Sequence, residues 1–402
     1  MLNQNGMEQR MEFNETTMVE RVIQWSNINS GSFNVLGLER LSAALTHTFS
    51  ELECEGDVLS LPPIDQVNSQ GISTKVDLGP MLRFWKRLQA PLQILLVGHM
   101  DTVFPLDQPF QQAKFKNDTI IVGPGVTDMK GGLCVMFEAL KAFEKSKHKD
   151  KVGWEVLINP DEEIGSLASA PFLAERAKSH HLALLFEPAM DEQGTLAGER
   201  KGSGKFTLVV KGKAAHAGRD FHLGKNAICG LAELVLGIDQ LNGQREGVTL
   251  NVGQIEGGVA VNVVPSLAIA KLDIRTQSVE DESWARTQIE SIIKEVQKQR
   301  EIKIDLMGQF GRKPKKLSGK TLALYELVQK ISTSLGQPLS WKPSGGCCDG
   351  NNLSEAGLPN IDTLGVCGGK IHSDEEYLLV KSLTTRANLT YTLLTHLSEH
   401  GF

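Results

Sequence analysis

Residues 92–97 form an apolar run interrupted only by Gln93, and the run stops at Gly98-His99-Met100-Asp101. Such a run suits a strand covered on both faces, the kind found in a parallel α/β sheet. Two later stretches repeat the design: residues 154–158 end in Asn159-Pro160-Asp161-Glu162-Glu163, and residues 182–186 end in Glu187-Pro188. Ligands gather at the carboxyl ends of the strands in an open α/β sheet, so His99, Asp101, Glu162, Glu163 and Glu187 are expected to converge. Asp128 lies in Gly123-Pro124-Gly125-Val126-Thr127-Asp128-Met129-Lys130-Gly131-Gly132, a turn ahead of the helix-spaced Leu133, Met136, Phe137 and Leu140.

Around this centre the periodicity predicts two helices within 17–49, split by a Ser/Gly/Asn loop at 27–34. Weaker strands are expected at 52–61 and 74–85, with a loop at 62–71 started by Pro62 and Pro63. Near Arg200 the pattern changes. An alternating stretch at 205–213, a helix at 226–241, strands at 248–255 and 267–275, a helix at 279–300 and a strand at 303–307 make the split pattern of an α+β sandwich. The expected division is therefore a catalytic domain in two parts, 1–199 and 314–402, interrupted by a lid or dimerisation domain at 200–313. The fold class is α/β: a mixed, mostly parallel sheet covered by helices, plus the inserted sandwich. After residue 314 come a helix at 322–335, the loop Gly345-Gly346-Cys347-Cys348-Asp349-Gly350, a strand at 360–364 and Gly368-Gly369-Lys370-Ile371-His372-Ser373-Asp374-Glu375-Glu376 before a last helix.

The formal net charge of −6 and the lack of any long lysine or arginine run argue against nucleic acid or an anionic membrane as partner. No apolar run approaches bilayer length. Residues 1–14 are polar, without the apolar region of a secretory signal, and the cysteines Cys54, Cys134, Cys229, Cys347, Cys348 and Cys367 form no CxxC pairs. Reduced thiols and a cytoplasmic location are expected. Cys347 and Cys348 admit two readings, a redox switch or a pair of small buried residues, and adjacent cysteines seldom bridge.

Taken singly, His99-x-Asp101, Glu162-Glu163 and Glu187 each have an ordinary structural explanation. Together they do not, because carboxylates meeting without cations repel one another and raise their own pKa values. Two divalent ions remove the conflict. With Asp128, Glu163 and Glu187 as carboxylate ligands and His99 and His372 as neutral imidazoles, one positive charge remains, which a hydroxide balances. With Asp128 bridging, each ion is four-coordinate as zinc prefers, and the mixed nitrogen and oxygen donors also admit cobalt or manganese.

The ordered motifs GHMD, GPGVTDMKGG, DEE, FEP, AAHAG and HSDEE resemble the di-zinc co-catalytic amidohydrolase family that includes carboxypeptidase G (glutamate carboxypeptidase), succinyl-diaminopimelate desuccinylase, acetylornithine deacetylase and the aminoacylases. The resemblance runs from about Val19 to the C-terminus. It implies that His99, Asp128 and Glu187 hold one metal and Asp128, Glu163 and His372 the other. Asp101 is then the group orienting His99, and Glu162 the general base acting on a bridging hydroxide. His216 resembles the lid histidine that reaches into a partner subunit's site, so a homodimer through the inserted domain is implied. Arg275, Asn262, Gly345 and Gly346 are similar to positions that grip the substrate carboxylate. The implied substrates are small molecules or short peptides with a free carboxylate, cleaved in the manner of a glutamate carboxypeptidase or, alternatively, of an N-acyl-amino-acid deacylase. A binding relative that kept the fold and lost a metal is the alternative from another class. At the glycine loop the chain departs from carboxypeptidase G, with Cys347-Cys348 where a threonine precedes the aspartate.

Overall fold

A computed structural model describes residues 11–402; residues 1–10, and with them most of the stretch read above as lacking a secretory signal, lie outside the described part. The central sheet has six strands in the order Glu55–Leu59, Met81–Lys86, Val152–Asn159, Leu92–His99, Leu182–Leu185 and Asn360–Ile361. Met81–Lys86 pairs antiparallel with both neighbours, and the remaining pairs are parallel. The sheet is thus mixed and mostly parallel, as expected.

Leu92–His99 is buried at every position because the sheet is covered twice. Ile94 and Leu96 belong to one core, with residues of the helices Glu15–Ser26, Val35–Ser50, Gly131–Phe143, Gly319–Ser334 and Val380–His400. Leu95 and Val97 point the other way, into a smaller core with Leu173, Ala177 and Leu353. This two-residue alternation between two apolar cores is what a continuous apolar run encodes.

A second sheet orders Thr249–Gly257, Leu267–Thr276, Gly202–Lys211 and Lys303–Arg312, all antiparallel, and packs one face on the helices Ala227–Asp239 and Val279–Arg300. Its core shares no residue with those of the first sheet. Chain entry and exit are pinned together: Arg200 and Lys315 exchange backbone hydrogen bonds at 3.1 and 2.9 Å. Both side chains close on the buried Asp362 carboxylate, Arg200 with two bonds at 2.8 and 2.9 Å and Lys315 with one at 2.8 Å. Burial opposes the charge on Asp362, but these two cations hold its pKa down at about 2.

Several local expectations are corrected. Residues 62–71 are not a simple loop, since Ile64–Val67 and Ser73–Val76 pair as a hairpin. The strand expected over 74–85 breaks at Gly79-Pro80, where proline cannot donate to a ladder and a Cβ on Gly79 would meet Leu38 at 2.5 Å. The helix expected from Leu167 begins at Ala170, because Asp161 accepts the backbone N–H groups of Ala168 and Ser169 and holds a turn there. The strand expected at 360–364 stops at Ile361, ahead of Thr363 in the left-handed region at φ 65°. A further sheet, ordered Gly368–Gly369, Tyr377–Leu379, Ile120–Val122 and Lys114–Asn117, was not expected, and it is what carries the His372 segment to the centre.

Candidate metal centre

His99 stands at the carboxyl end of its strand. The glycine before it suits close packing: a Cβ on Gly98 would lie 2.7 Å from the Leu133 side chain and 2.8 Å from that of Met129, on the helix and turn that press on the strand. Gly132 serves the same packing, its absent Cβ facing the Phe186 carbonyl oxygen at 2.0 Å. Between them Asp128 is extended at φ −114° and ψ 90°, and the Asp128–Met129 peptide is cis.

The two oxygens of Asp128 face two imidazoles. Nε2 of His99 is 3.2 Å from Oδ1, and Nε2 of His372 is 3.4 Å from Oδ2. Glu187 Oε2 is 3.9 Å from His99 Nε2, and Glu163 Oε2 is 3.3 Å from His372 Nε2. Single donor atoms of His99, Asp128 and Glu163 lie within 4.8 Å of one another. The three segments that end strands, the turn before the helix and the late histidine are therefore gathered around one carboxylate, in two His-plus-Glu halves.

Asp101 is fully buried and ties two strand ends together. It accepts from Ser32 Oγ at 2.7 Å and from the backbone N–H groups of Glu162 and Glu163 at 3.2 and 3.1 Å, while its Oδ1 is 3.3 Å from His99 Nδ1. Glu162 is held by Arg312, whose Nη2 lies 2.8 Å from Oε1.

The electrostatics of the cluster are those of a site short of positive charge. Burial, reinforced by Glu162, pushes the Glu187 carboxyl well up, and burial with Asp128 beside it raises Glu163 to about 7. Burial raises Glu162 as well, against the pull of Arg312. Hydrogen bonds to Asp128 and Glu163 raise His372 to about 10, and His99 is pulled well up by Asp101 and Asp128 although burial resists it. Asp128 is held low by the two histidines despite its burial. One buried oxygen, Glu163 Oε1, has no hydrogen-bond partner. Nitrogen and oxygen donors, surplus buried negative charge and an orphaned carboxylate oxygen fit divalent cations.

The centre opens into a cleft of about 1290 Å³ between the two sheets. Arg275 lines it, bound to Asp273 through two hydrogen bonds at 2.6 and 2.9 Å and donating to Cys347 Sγ at 3.1 Å. Gly346 also lines it, whereas Gly345 is exposed with open space around its Cα. His216 and Asn262 are not at the cleft: both are exposed on the inserted block, where Ala217 N–H donates to the Asn262 carbonyl at 2.9 Å. His216 Nδ1 accepts from the backbone N–H groups of Gly218 and Arg219, which leaves the proton of the neutral ring on Nε2, a donor facing outward. Cys348 is buried and its thiol pushed well up by burial, while Cys347 is half-buried in the cleft wall.

Two residues at the site were missed by sequence reasoning. Arg312 sits beside the domain boundary expected between 313 and 314. Glu376 is fully buried and accepts from the backbone N–H groups of Gly125, Thr127 and Asp128 at 3.2, 2.8 and 3.0 Å, fixing the loop that presents Asp128. Its place four residues after His372 was the available signal.

Residues 95–396 match the family model described as peptidase family M20/M25/M40. Carboxypeptidase G2 of Pseudomonas sp. (strain RS-16) is 29% identical over 310 residues, spanning 75% of this chain and 73% of that protein. Succinyl-diaminopimelate desuccinylase of Hahella chejuensis (strain KCTC 2396) is 27% identical over 350 residues, spanning 82% and 88%. Among solved structures, a tripeptidase from Staphylococcus aureus superposes with a TM-score of 0.75 at 21% identity, covering 96% of this chain and 99% of the other.

Proposed function

The chain belongs to peptidase family M20/M25/M40 and is a hydrolase of peptide or amide bonds, and from that premise we propose that it cleaves the amide next to a free carboxylate, as a glutamate carboxypeptidase does. The observation that carries the reading is the gathering of His99, Glu187, His372 and Glu163 around the two oxygens of Asp128, at a cleft whose wall bears Arg275 and Arg312.

In this reading His99, Asp128 and Glu187 hold one divalent ion and Asp128, Glu163 and His372 a second, with zinc as the metal. When bound, the ions would polarise the substrate carbonyl and make a water acidic enough to react near neutral pH. The residues of the chain supply the rest. Asp101 fixes the His99 ring, and Glu376 fixes the Asp128 loop. Glu162 takes the proton of the attacking water and returns it to the leaving nitrogen, its carboxylate aimed by Arg312. Arg275, on giving up its two bonds to Asp273, and the backbone at Gly346 beside the exposed Gly345 receive the substrate carboxylate, where a guanidinium can bind both oxygens.

His216 and Asn262 enter the site from a partner subunit, His216 donating from Nε2 to the carbonyl oxygen as it gains charge. This is supported by their outward placement beside Val259 and Val261, which are 91% and 105% exposed, and by the free edge of Thr249–Gly257 in its sheet. Such an edge with exposed apolar residues suits two-fold pairing. The domain division at 199/200 and 313/314 is supported by the separate cores and by the Arg200–Lys315 junction. No helix among the described residues is long and apolar enough to cross a membrane, and a cytoplasmic location is supported by the unbridged cysteines.

A deacylase reading is favoured by the desuccinylase relative, which spans more of the chain than carboxypeptidase G2 does. A hydrolysis screen of N-acyl amino acids and dipeptides with added zinc or cobalt separates the two. Preferential release of a C-terminal glutamate supports the carboxypeptidase reading, and turnover confined to acetyl or succinyl amides overturns it.

A further inference from the structure

Among the described residues, the hairpin formed by Ile64–Val67 and Ser73–Val76 bonds to no other strand. Its tip is internally tied, since Asn68 Oδ1 accepts from the backbone N–H groups of Gln70 and Ile72 at 3.0 and 3.1 Å. A lone two-stranded ribbon is marginally stable in water, so its order depends on what it packs against. Gly71, at φ +70°, sits so close to the inserted sheet that a Cβ there would stand 2.7 Å from Val209 and 3.1 Å from Leu267.

Those contacts are on the face of the inserted sheet turned away from its helices. Leu208, Val210, Ala268 and Ala270 fill the helix-side core, so their neighbours Val209, Leu267 and Ile269 point oppositely. Val209 is nevertheless 0% exposed and its register partner Ile269 4%. The same face changes character toward the metal centre, where Lys205, Thr207, Lys271 and Arg275 line the cleft. At about 3.3 Å per residue, only about 13 Å of strand separates Lys205 from Val209. Ile64, Gln66 and Val67 of the hairpin line the cleft too.

We propose that the 64–76 hairpin is a length stop: docked on Val209 and Leu267, it closes the outer end of the cleft and restricts the enzyme to short substrates. The inference rests on the reading of the centre as a carboxylate-anchored amide hydrolase, and it concerns the part of the substrate that Arg275 does not hold. Pro62 and Pro63, also in the cleft wall, stiffen the approach to the hairpin and keep the stop from swinging freely.

Two variants test it. One replaces residues 66–74 with Asn-Gly, a two-residue turn that keeps Asp65 and Lys75 as the last pair. The other, Val209→Asp, puts a charge under the tip without shortening the hairpin. Turnover of one amino acid bearing acyl chains from acetyl to dodecanoyl is compared with the native holoenzyme, together with metal content and hydrogen exchange of 64–76. The expected result is a rise of roughly tenfold or more in the long-to-short ratio of kcat/KM in both variants, with metal content kept and exchange at the tip accelerated in Val209→Asp. An unchanged ratio with the tip released overturns the length stop, and unchanged exchange in Val209→Asp overturns the docking. If the native enzyme cleaves none of the series, the reading as a hydrolase of amides beside a free carboxylate fails. Calorimetric binding of the same compounds then still decides the stop: a length limit that relaxes in the variants supports it, and equal limits overturn it.

Discussion

Arg312 and Glu162 form a buried ion pair, Nη2 to Oε1 at 2.8 Å, and the same nitrogen donates to the Glu162 carbonyl at 3.0 Å and to Ser166 Oγ at 2.8 Å. One guanidinium thus fixes both ends of the residue assigned as the base. Removing it leaves a buried carboxylate unpaired, which costs about 3–5 kcal/mol in comparable cases. Arg312→Ala is expected to lower kcat/KM by roughly a hundredfold or more with metal content intact, and Glu162→Gln to lower kcat by about 10²–10⁴. Near-native turnover of Glu162→Gln with its metal bound would remove that residue from the chemistry.

Glu376 shapes the centre from behind the Asp128 loop. An amide in its place presents N–H groups to backbone donors that now find carboxylate oxygens, so Glu376→Gln is expected to cost about 1–3 kcal/mol and weaken metal affinity by roughly 10–100-fold. Titration of metal into the stripped variant measures this, and native affinity would make Glu376 a bystander.

The outward tautomer of His216 gives a complementation experiment. Subunits carrying Glu162→Gln mixed with subunits carrying His216→Ala should regain about a quarter of native activity, because half of the dimers formed at random have one site with both groups intact. No regained activity in a mixture shown to exchange subunits would confine His216 to its own chain, as would a fully active monomer.

Away from the centre, Glu144 accepts from Arg87, from Trp154 Nε1 at 2.8 Å and from Lys86 at 3.1 Å. Burial raises its proton affinity, but these partners bring the pKa down to about 2 from 4.5. A folded value below the unfolded one means the stabilisation is complete above the unfolded pKa and is lost as pH falls through the folded value. Glu144→Gln should therefore be less stable than native at pH 7 by about 1–2 kcal/mol, discounted for solvent screening, with the gap closing between roughly pH 5 and pH 2 in denaturant titrations. A gap independent of pH would contradict the assignment.

Much of the centre was legible because residues gathered around Asp128 end apolar strands, and strand burial is written in consecutive residues. His99, Glu163 and Glu187 could be read that way, and Asp128 from the glycine-rich turn before its helix. Arg312 and Glu376 were not legible in this way. Their contacts span about 150 and 250 residues of sequence: nothing local marks Arg312, and only its closeness to His372 marks Glu376. The 64–76 hairpin escaped for a related reason: its order comes from docking on Val209 and Leu267, while its own sequence is polar and proline-led.

The carboxylates around Asp128 are proposed to be stable together because two divalent ions share them. Elemental analysis of the purified protein, repeated after chelation and after reloading with zinc, tests it most directly. Two ions per chain are expected, with hydrolysis and thermal stability lost on chelation and both recovered on reloading. Full hydrolytic activity with no bound metal, or a chain that takes up none under any loading condition, would contradict it.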